Sequence, residues 1–122
     1  MLSNLKKLLV AGALILAASV IPASAASQYT RTFEVDNRSS YRINHLYVSP
    51  SGYRYWGFDR LGSDVLYPNY YVSVTVVPGW YDVKLVDQDG DSCVVPSVDF
   101  RGGDTWTLTD RVLVACELFS RQ

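Results

Sequence analysis

Three aspartates alternate along the short stretch DQDGDS, at Asp87, Asp89 and Asp91. Calcium takes several oxygen ligands, and alternating aspartates in a loop can supply them. The stretch matches the first three acids of the EF-hand pattern, but Ser92 replaces its glycine and Val98 its final glutamate. The Asp-Gly pair inside the stretch also favours a tight turn, because glycine tolerates positive φ. The stretch therefore predicts first a solvated hairpin turn and second a calcium site, and the sequence indicates no other cofactor.

Aromatic side chains form the second candidate site. The chain holds nine Tyr, three Trp and four Phe, and Tyr53, Tyr55 and Trp56 fall, with Asp59, in a stretch that has no steady period. Loops on rigid scaffolds often carry binding residues, and exposed aromatic rings stack on sugars or contact peptides. We therefore predict that these four residues bind a ligand. The alternative is a small core with Trp56 packed over one end of the fold, since large aromatic side chains are mostly buried.

No combination of residues typical of an enzyme stands out. The single histidine, His45, lies in a run of β-forming residues, and the chain has no G-x-S-x-G motif. Asp59, Asp64 and Asp82 offer carboxylates for acid–base work on a sugar, but no spacing singles out a pair. We predict no catalytic residues and a protein that is not an enzyme. A hydrolase using Asp59 or Asp82 is the least supported alternative.

The two cysteines, Cys93 and Cys116, predict a disulfide, because an even pair in an exported chain is most simply bonded. In the chain-entropy model such a bond contributes roughly 3 kcal/mol. The alternatives are a metal site, which would need further Cys or His ligands, and a reactive thiol, which would need a nearby base.

The N-terminal residues have the three parts of a secretory signal peptide. A basic start precedes the apolar run 8–21, and an A-x-A cleavage site ends at Ala25. We predict a cleaved signal peptide over 1–25, a single domain over 26–122, and a periplasmic or secreted protein with no membrane span in the mature chain. The alternative is an uncleaved anchor, but the run is shorter than the ~20 apolar residues of a spanning helix.

The charge balance limits the class of partner. The formal net charge of the chain is −1, and no basic patch of the kind that nucleic-acid binders carry is visible. We therefore predict an unknown protein or glycan partner and no nucleic acid.

Alternation of apolar and polar residues runs through most of 26–122 and predicts the elements that position these sites. About seven such runs, near ten residues apart, predict a single antiparallel β-sandwich of about seven strands, with a small barrel as the alternative. The runs 70–77 and 80–87, joined by Pro-Gly, predict a hairpin. The apolar run VLVACELF, 112–119, is interpreted as the last strand.

Two runs carry signs of irregular pairing. In YRINHLYVS the apolar residues Ile43 and Leu46 fall on opposite faces of a regular strand, which predicts a bulge or burial on both sides. In CVVPSVDF, Pro96 predicts an edge strand or a bulge, because proline cannot donate to a sheet ladder.

The stretches YVSPSGYRYWGFDRLG and YDVKLVDQDG resemble a family of small exported bacterial proteins with the pattern YVSPS…WGxDxLG…YDxKxxxxDG. The resemblance covers most of residues 33 to 90 and also includes the F-x-V-x-N run that ends at Asn37. It departs at Asn69, where the family tends to have glycine. The resemblance implies an exported β domain and no particular activity. It also implies that the Trp-Gly-x-Asp unit at 56–59 is either a binding site or a tie that sets the shape of its loop, with Asp59 accepting hydrogen bonds from backbone amides.

Overall fold

The computed structural model describes residues 29 to 120, with the backbone alone at 118–120. The signal peptide predicted over 1–25 lies outside the described residues. The elements are, in chain order, β1 (Arg31–Asn37), β2 (Ile43–Pro50), β3 (Tyr71–Val76), β4 (Trp80–Asp87), β5 (Ser92–Asp99), β6 (Thr105–Leu108) and α1 (Asp110–Ser120).

The strands form two three-stranded sheets with the orders β3-β1-β6 and β2-β4-β5. All pairings are antiparallel except that of β1 with β6, which is parallel. Both sheets contribute to one apolar core, in which the Phe100 ring contacts Phe33 of β1 and Tyr81 of β4. The prediction of a mostly β fold with two sheets around a shared core is confirmed. The parallel pair departs from a purely antiparallel sandwich.

The seventh strand was a wrong prediction, because residues 112–119 lie in α1. The hydroxyl of Thr109 accepts a hydrogen bond from the Val112 amide (3.3 Å), as an N-cap residue does. Leu113 and Cys116, three residues apart, are buried on one face of the helix, while Val114 is exposed. A short apolar run does not distinguish a strand from a buried helix by its period alone.

The hairpin predicted between 70–77 and 80–87 is also wrong. β3 pairs with β1 in one sheet, whereas β4 pairs with β2 and β5 in the other. Pro78 and Gly79 lie in the connection from β3 in one sheet to β4 in the other. Gly79 exchanges backbone hydrogen bonds with Phe100 (3.3 and 2.9 Å). A strand with alternating apolar residues buries one face whether it pairs with the next strand or lies in the opposite sheet. The pattern alone therefore does not distinguish a hairpin from a connection between two sheets.

Both predicted irregularities are confirmed. The register of β2 against β4 shifts between Ile43 and His45, which allows Ile43 and Leu46 to reach the same core. β5 is an edge strand, and its register against β4 shifts near Pro96, where Ser97 has a φ of 55°. Because of these bulges, strands whose apolar residues are irregularly spaced can still bury them on a single face.

The Cys93–Cys116 disulfide is present and joins β5 to α1, with a Cα–Cα distance of 5.4 Å. The predicted bond is confirmed, and because Cys116 lies in α1 it attaches the helix to the sheet. Such a bond is typical of an oxidising compartment. Between residues 29 and 120, no helix combines the length and the apolar character needed to cross a membrane.

Candidate binding loop and acidic turn

The long loop 51–70 connects β2 to β3 and follows the open edge of β2. Ile43 and Leu66 exchange backbone hydrogen bonds of 2.9 Å in each direction. The Arg60 amide donates to the Leu46 carbonyl (2.7 Å). Because backbone hydrogen bonds join the loop to β2 at two separate places, the loop has a defined course along the sheet edge.

Asp59 is the main side-chain tie of this loop. Its Oδ1 accepts hydrogen bonds from the backbone amides of Leu46 (3.0 Å) and Leu61 (3.0 Å), and its Oδ2 lies 2.7 Å from Nδ1 of His45. Burial by itself would raise the pKa of Asp59, but the hydrogen bonds from Leu46, His45 and Leu61 outweigh it, so the pKa lies below its ordinary value. The carboxylate is thus engaged in holding the loop, which is one of the two roles expected of the Trp-Gly-x-Asp unit.

The aromatic residues of the loop are largely exposed. Tyr53, Tyr55 and Phe58 are 72%, 79% and 67% exposed, whereas Trp56 is partly buried. The Tyr55 backbone is held in place, because its carbonyl accepts a hydrogen bond from the hydroxyl of Ser49 (2.7 Å). The rings of Tyr53 and Tyr55 therefore do not form the small core that the sequence offered as an alternative.

Trp56 lies over the outer face of the β2-β4-β5 sheet. The Lys84 ammonium is 6.0 Å from the Trp56 ring centre and 5.7 Å from the Tyr47 ring centre, within the range of cation–π attraction. The rings of Tyr47 and His45 are stacked, 6.4 Å apart. Trp56, Tyr47 and His45 thus form an aromatic surface on the sheet, next to Lys84. The sequence did not predict that Tyr47 and Lys84 would lie beside Trp56.

Two shallow grooves lie beside the second half of the loop. A groove of about 490 Å³ lies between the segment 60–67 and residues 70–72, and another of about 400 Å³ separates part of that segment from residues 42–45. The larger one is bordered by the exposed rings of Tyr67, Tyr70 and Tyr71. Neither groove includes Tyr53, Tyr55 or Trp56 among its lining residues.

The acidic stretch forms the turn between β4 and β5. The Gly90 amide donates to the Asp87 carbonyl (3.0 Å), and Gly90 has a φ of 81°, which favours glycine. The buried Asp87 carboxylate accepts hydrogen bonds from the amides of Asp89 (2.9 Å) and Asp91 (3.1 Å). The predicted hairpin turn is confirmed, and Asp87 organises it from within.

The turn also brings the three aspartates together. One carboxylate oxygen from each of Asp87, Asp89 and Asp91 lies within 4.8 Å of the other two. Oxygen ligands at such spacing suit a hard cation such as calcium. However, one oxygen of Asp87 is already occupied by the two amides.

Two of the three carboxylates considered for hydrolysis, those of Asp59 and Asp82, are bonded within the fold. Asp82 accepts hydrogen bonds from the Ser51 hydroxyl (2.9 Å) and the Ser97 amide (3.0 Å). Asp59 is tied to the loop, and Asp64 alone of the three lines the two grooves.

Asn37 is a structural residue whose importance the sequence did not reveal. It is fully buried, and its side-chain amide donates to the carbonyls of Tyr41 (2.8 Å) and Leu66 (3.0 Å). Its Oδ1 accepts from the Ser39 amide (3.0 Å) and hydroxyl (2.6 Å), and its own carbonyl accepts from the Asn69 amide (2.7 Å). The only sequence signal was its place at the end of the F-x-V-x-N run. Asparagine is uncommon at a buried position of a strand.

Comparison of the chain with protein-family models, curated proteins and solved structures finds no match. The resemblance described for residues 33 to 90 therefore stays a prediction. Asn69 has a φ of 70°, a left-handed conformation that asparagine adopts more readily than most residues.

Proposed function

We propose that this chain is an exported, non-catalytic binding module in which Tyr53, Tyr55, Trp56 and Asp59 form the site for a protein, peptide or glycan of the cell envelope. The observation that carries the proposal is the exposure of Tyr53 and Tyr55 on a loop tied to β2. A rigid aromatic side chain on an ordered loop loses little conformational freedom on binding, so more of its contact energy is realised as affinity.

The four residues would have different roles. Tyr53 and Tyr55 present ring faces and hydroxyls to solvent and can stack on a sugar or pack against a peptide side chain. Trp56 would form the base of the site, since it is partly buried next to Lys84. Asp59 would position the loop through its bonds to Leu46 and Leu61 instead of contacting the ligand.

A substitution at Tyr55 tests the proposal. We expect Tyr55→Ala to weaken binding roughly tenfold or more, measured on a glycan array and by pull-down from an envelope fraction, because an aromatic contact at the centre of an interface often contributes this much. Tyr29→Ala is the matched control, since Tyr29 is 71% exposed outside the loop. If Tyr55→Ala and Trp56→Ala fold normally and keep every interaction of the unaltered protein, the loop is not the site.

A second candidate function is a calcium-stabilised β module, which the proximity of Asp87, Asp89 and Asp91 favours. Calcium bound to the folded state raises stability by mass action, so the thermal midpoint should rise at millimolar calcium. Asp89→Asn should reduce the rise while leaving the amide contacts of Asp87 in place. An unchanged midpoint of the unaltered protein at millimolar calcium would eliminate this candidate.

We also propose that the domain is exported through cleavage after Ala25, with the periplasm or the extracellular medium as its destination. The Cys93–Cys116 bond supports this location, because cytosolic reductants keep most thiols reduced. The intact mass of the protein purified from the periplasm or medium checks it. A mass that still includes residues 1–25 would contradict the cleavage.

A further inference from the structure

The two sheets have four edge strands, and three of them carry features that hinder pairing with another chain. β2 is covered by the loop through Leu66, β5 has a bulge near Pro96, and β6 has only four residues. β3 is different. Its sequence YVSVTV has no proline and no charge, and its register against β1 is regular.

The hydrogen-bond pattern shows which backbone groups of β3 point away from the sheet. The Asn37 amide donates to the Tyr70 carbonyl (2.9 Å), which fixes the alternation of bonded pairs between β1 and β3. By that alternation, Tyr71, Ser73 and Thr75 direct their amides and carbonyls away from β1.

Two further contacts agree with this assignment. The Glu34 amide of β1 donates to the Asp104 carbonyl (2.8 Å) and therefore faces β6, as the same alternation requires. The Thr75 carbonyl accepts a long hydrogen bond from the Arg60 guanidinium (3.5 Å). Among residues 29 to 120, no loop residue bonds the backbone groups of Tyr71 or Ser73.

The groove of about 490 Å³ lies at the start of this open edge, at Tyr71 and Val72. Its walls are residues 70–72 on one side and the segment 60–67 on the other, and its lining combines apolar residues such as Leu61 with the polar residues Arg60, Ser63 and Asp64. A chain added at Tyr71 would therefore lie next to the segment 60–67. Outward amides and carbonyls at every second residue match the backbone of another extended chain, which indicates an extended peptide as the occupant.

We propose that the open edge of β3 and the groove beside it bind an extended peptide segment of a partner protein, which adds to the sheet as a fourth strand next to Tyr71 and Ser73. Side chains of the peptide would face the groove and the exposed Tyr70 and Tyr71 rings. Aromatic residues suit the positions next to these rings, and polar residues suit those next to Arg60 and Asp64. This surface is distinct from the Tyr53–Trp56 site and does not depend on it.

The test uses linear heptapeptides selected from a random phage-displayed library on the folded protein and then synthesised. Ser73→Pro removes one backbone N–H that points away from β1 and leaves the hydrogen bonds between β1 and β3 in place. Proline is tolerated on an edge strand. We expect the selected peptides to bind Ser73→Pro at least about tenfold more weakly, since a lost backbone bond also leaves a peptide carbonyl unpaired. Ser73→Ala, which keeps the amide, should bind them as the unaltered protein does.

A second measurement does not rely on the proline variant being folded. N-methylation of each residue of the peptide in turn should abolish binding to the unaltered protein at every second position, because only alternate amides face β3. Amide hydrogen exchange of Tyr71 and Ser73 should slow when the peptide is bound.

Several results would overturn the proposal. The first is a library that yields no peptide above background. The second is a selected peptide whose binding survives both Ser73→Pro and N-methylation at every position. The third is a selected peptide that no longer binds Tyr55→Ala but still binds Ser73→Pro. The last result would place the peptide on the aromatic loop. A dimer in solution that Ser73→Pro dissociates would show that the edge pairs with a second copy of the chain, not with a peptide.

Discussion

At the scale of single residues, buried or partly buried polar side chains set the course of the loops. Asn37 bonds to the chain at residues 39, 41 and 66, and Asp59 ties residue 46 to residue 61. Asp87 does the same inside the acidic turn. Such groups are costly to bury unless all their bonds are made, so each specifies one local conformation. The exposed aromatic residues depend on this framework for their positions.

Asn37→Ala should destabilise the fold by about 2–4 kcal/mol, because it leaves several buried partners without their hydrogen bonds. Urea denaturation measures the change. Asn44→Ala is the matched control, since the buried Oδ1 of Asn44 finds no partner among residues 29 to 120. The control should cost less than about 1 kcal/mol, and similar costs for the two variants would contradict the role given to Asn37.

Acid should weaken the tie made by Asp59. The folded-state pKa of Asp59 is lowered, so its stabilising effect is present above its unfolded pKa of about 3.9 and is lost as the pH falls through the folded value. Asp59→Asn should be less stable than the unaltered protein at pH 7 and should lose less stability below about pH 4. Urea midpoints at neutral and acidic pH check this, and equal losses for both proteins would argue against the tie.

At the scale of elements, the alternating runs identified six strands but not their partners. The bulges at Ile43–His45 and near Pro96 were predicted because irregular apolar spacing and proline have local causes. α1 was missed because VLVACELF is apolar on most sides. The connection between the two sheets at Pro78-Gly79 was missed because strands joined in this way show the same alternation of apolar and polar residues as the strands of a hairpin. Local patterns thus predicted the strands, while pairing depended on contacts distant in sequence.

The disulfide should contribute a large part of the attachment of α1 to β5. Replacing both Cys93 and Cys116 with alanine should cost roughly 3 kcal/mol, since the unfolded chain regains the freedom of the closed loop. Chemical denaturation and the helical signal in circular dichroism measure the loss. Val114→Ala, an exposed change on the same helix, is the control. A loss in the double variant no larger than in this control would indicate that packing alone holds the helix.

At the scale of the whole molecule, the loop 51–70 connects the two sheets and lies next to both proposed binding surfaces. Its first half presents Tyr53 and Tyr55, and its second half forms a wall of the groove beside β3. The same loop covers the edge of β2 and leaves most of the edge of β3 open. Binding at the two surfaces should therefore be separable by Tyr55→Ala and Ser73→Pro.

The sequence by itself determined the all-β class, the Cys93–Cys116 bond, the acidic turn and the aromatic loop as a candidate site. These features follow from local periodicity, turn chemistry and residue type. Only the tertiary structure decided that Tyr53 and Tyr55 are exposed, that Asp59 is bonded to β2, and that β3 has an open edge. Exposure, buried hydrogen bonding and strand order all depend on which distant segments meet, and a pattern along the chain does not contain that information.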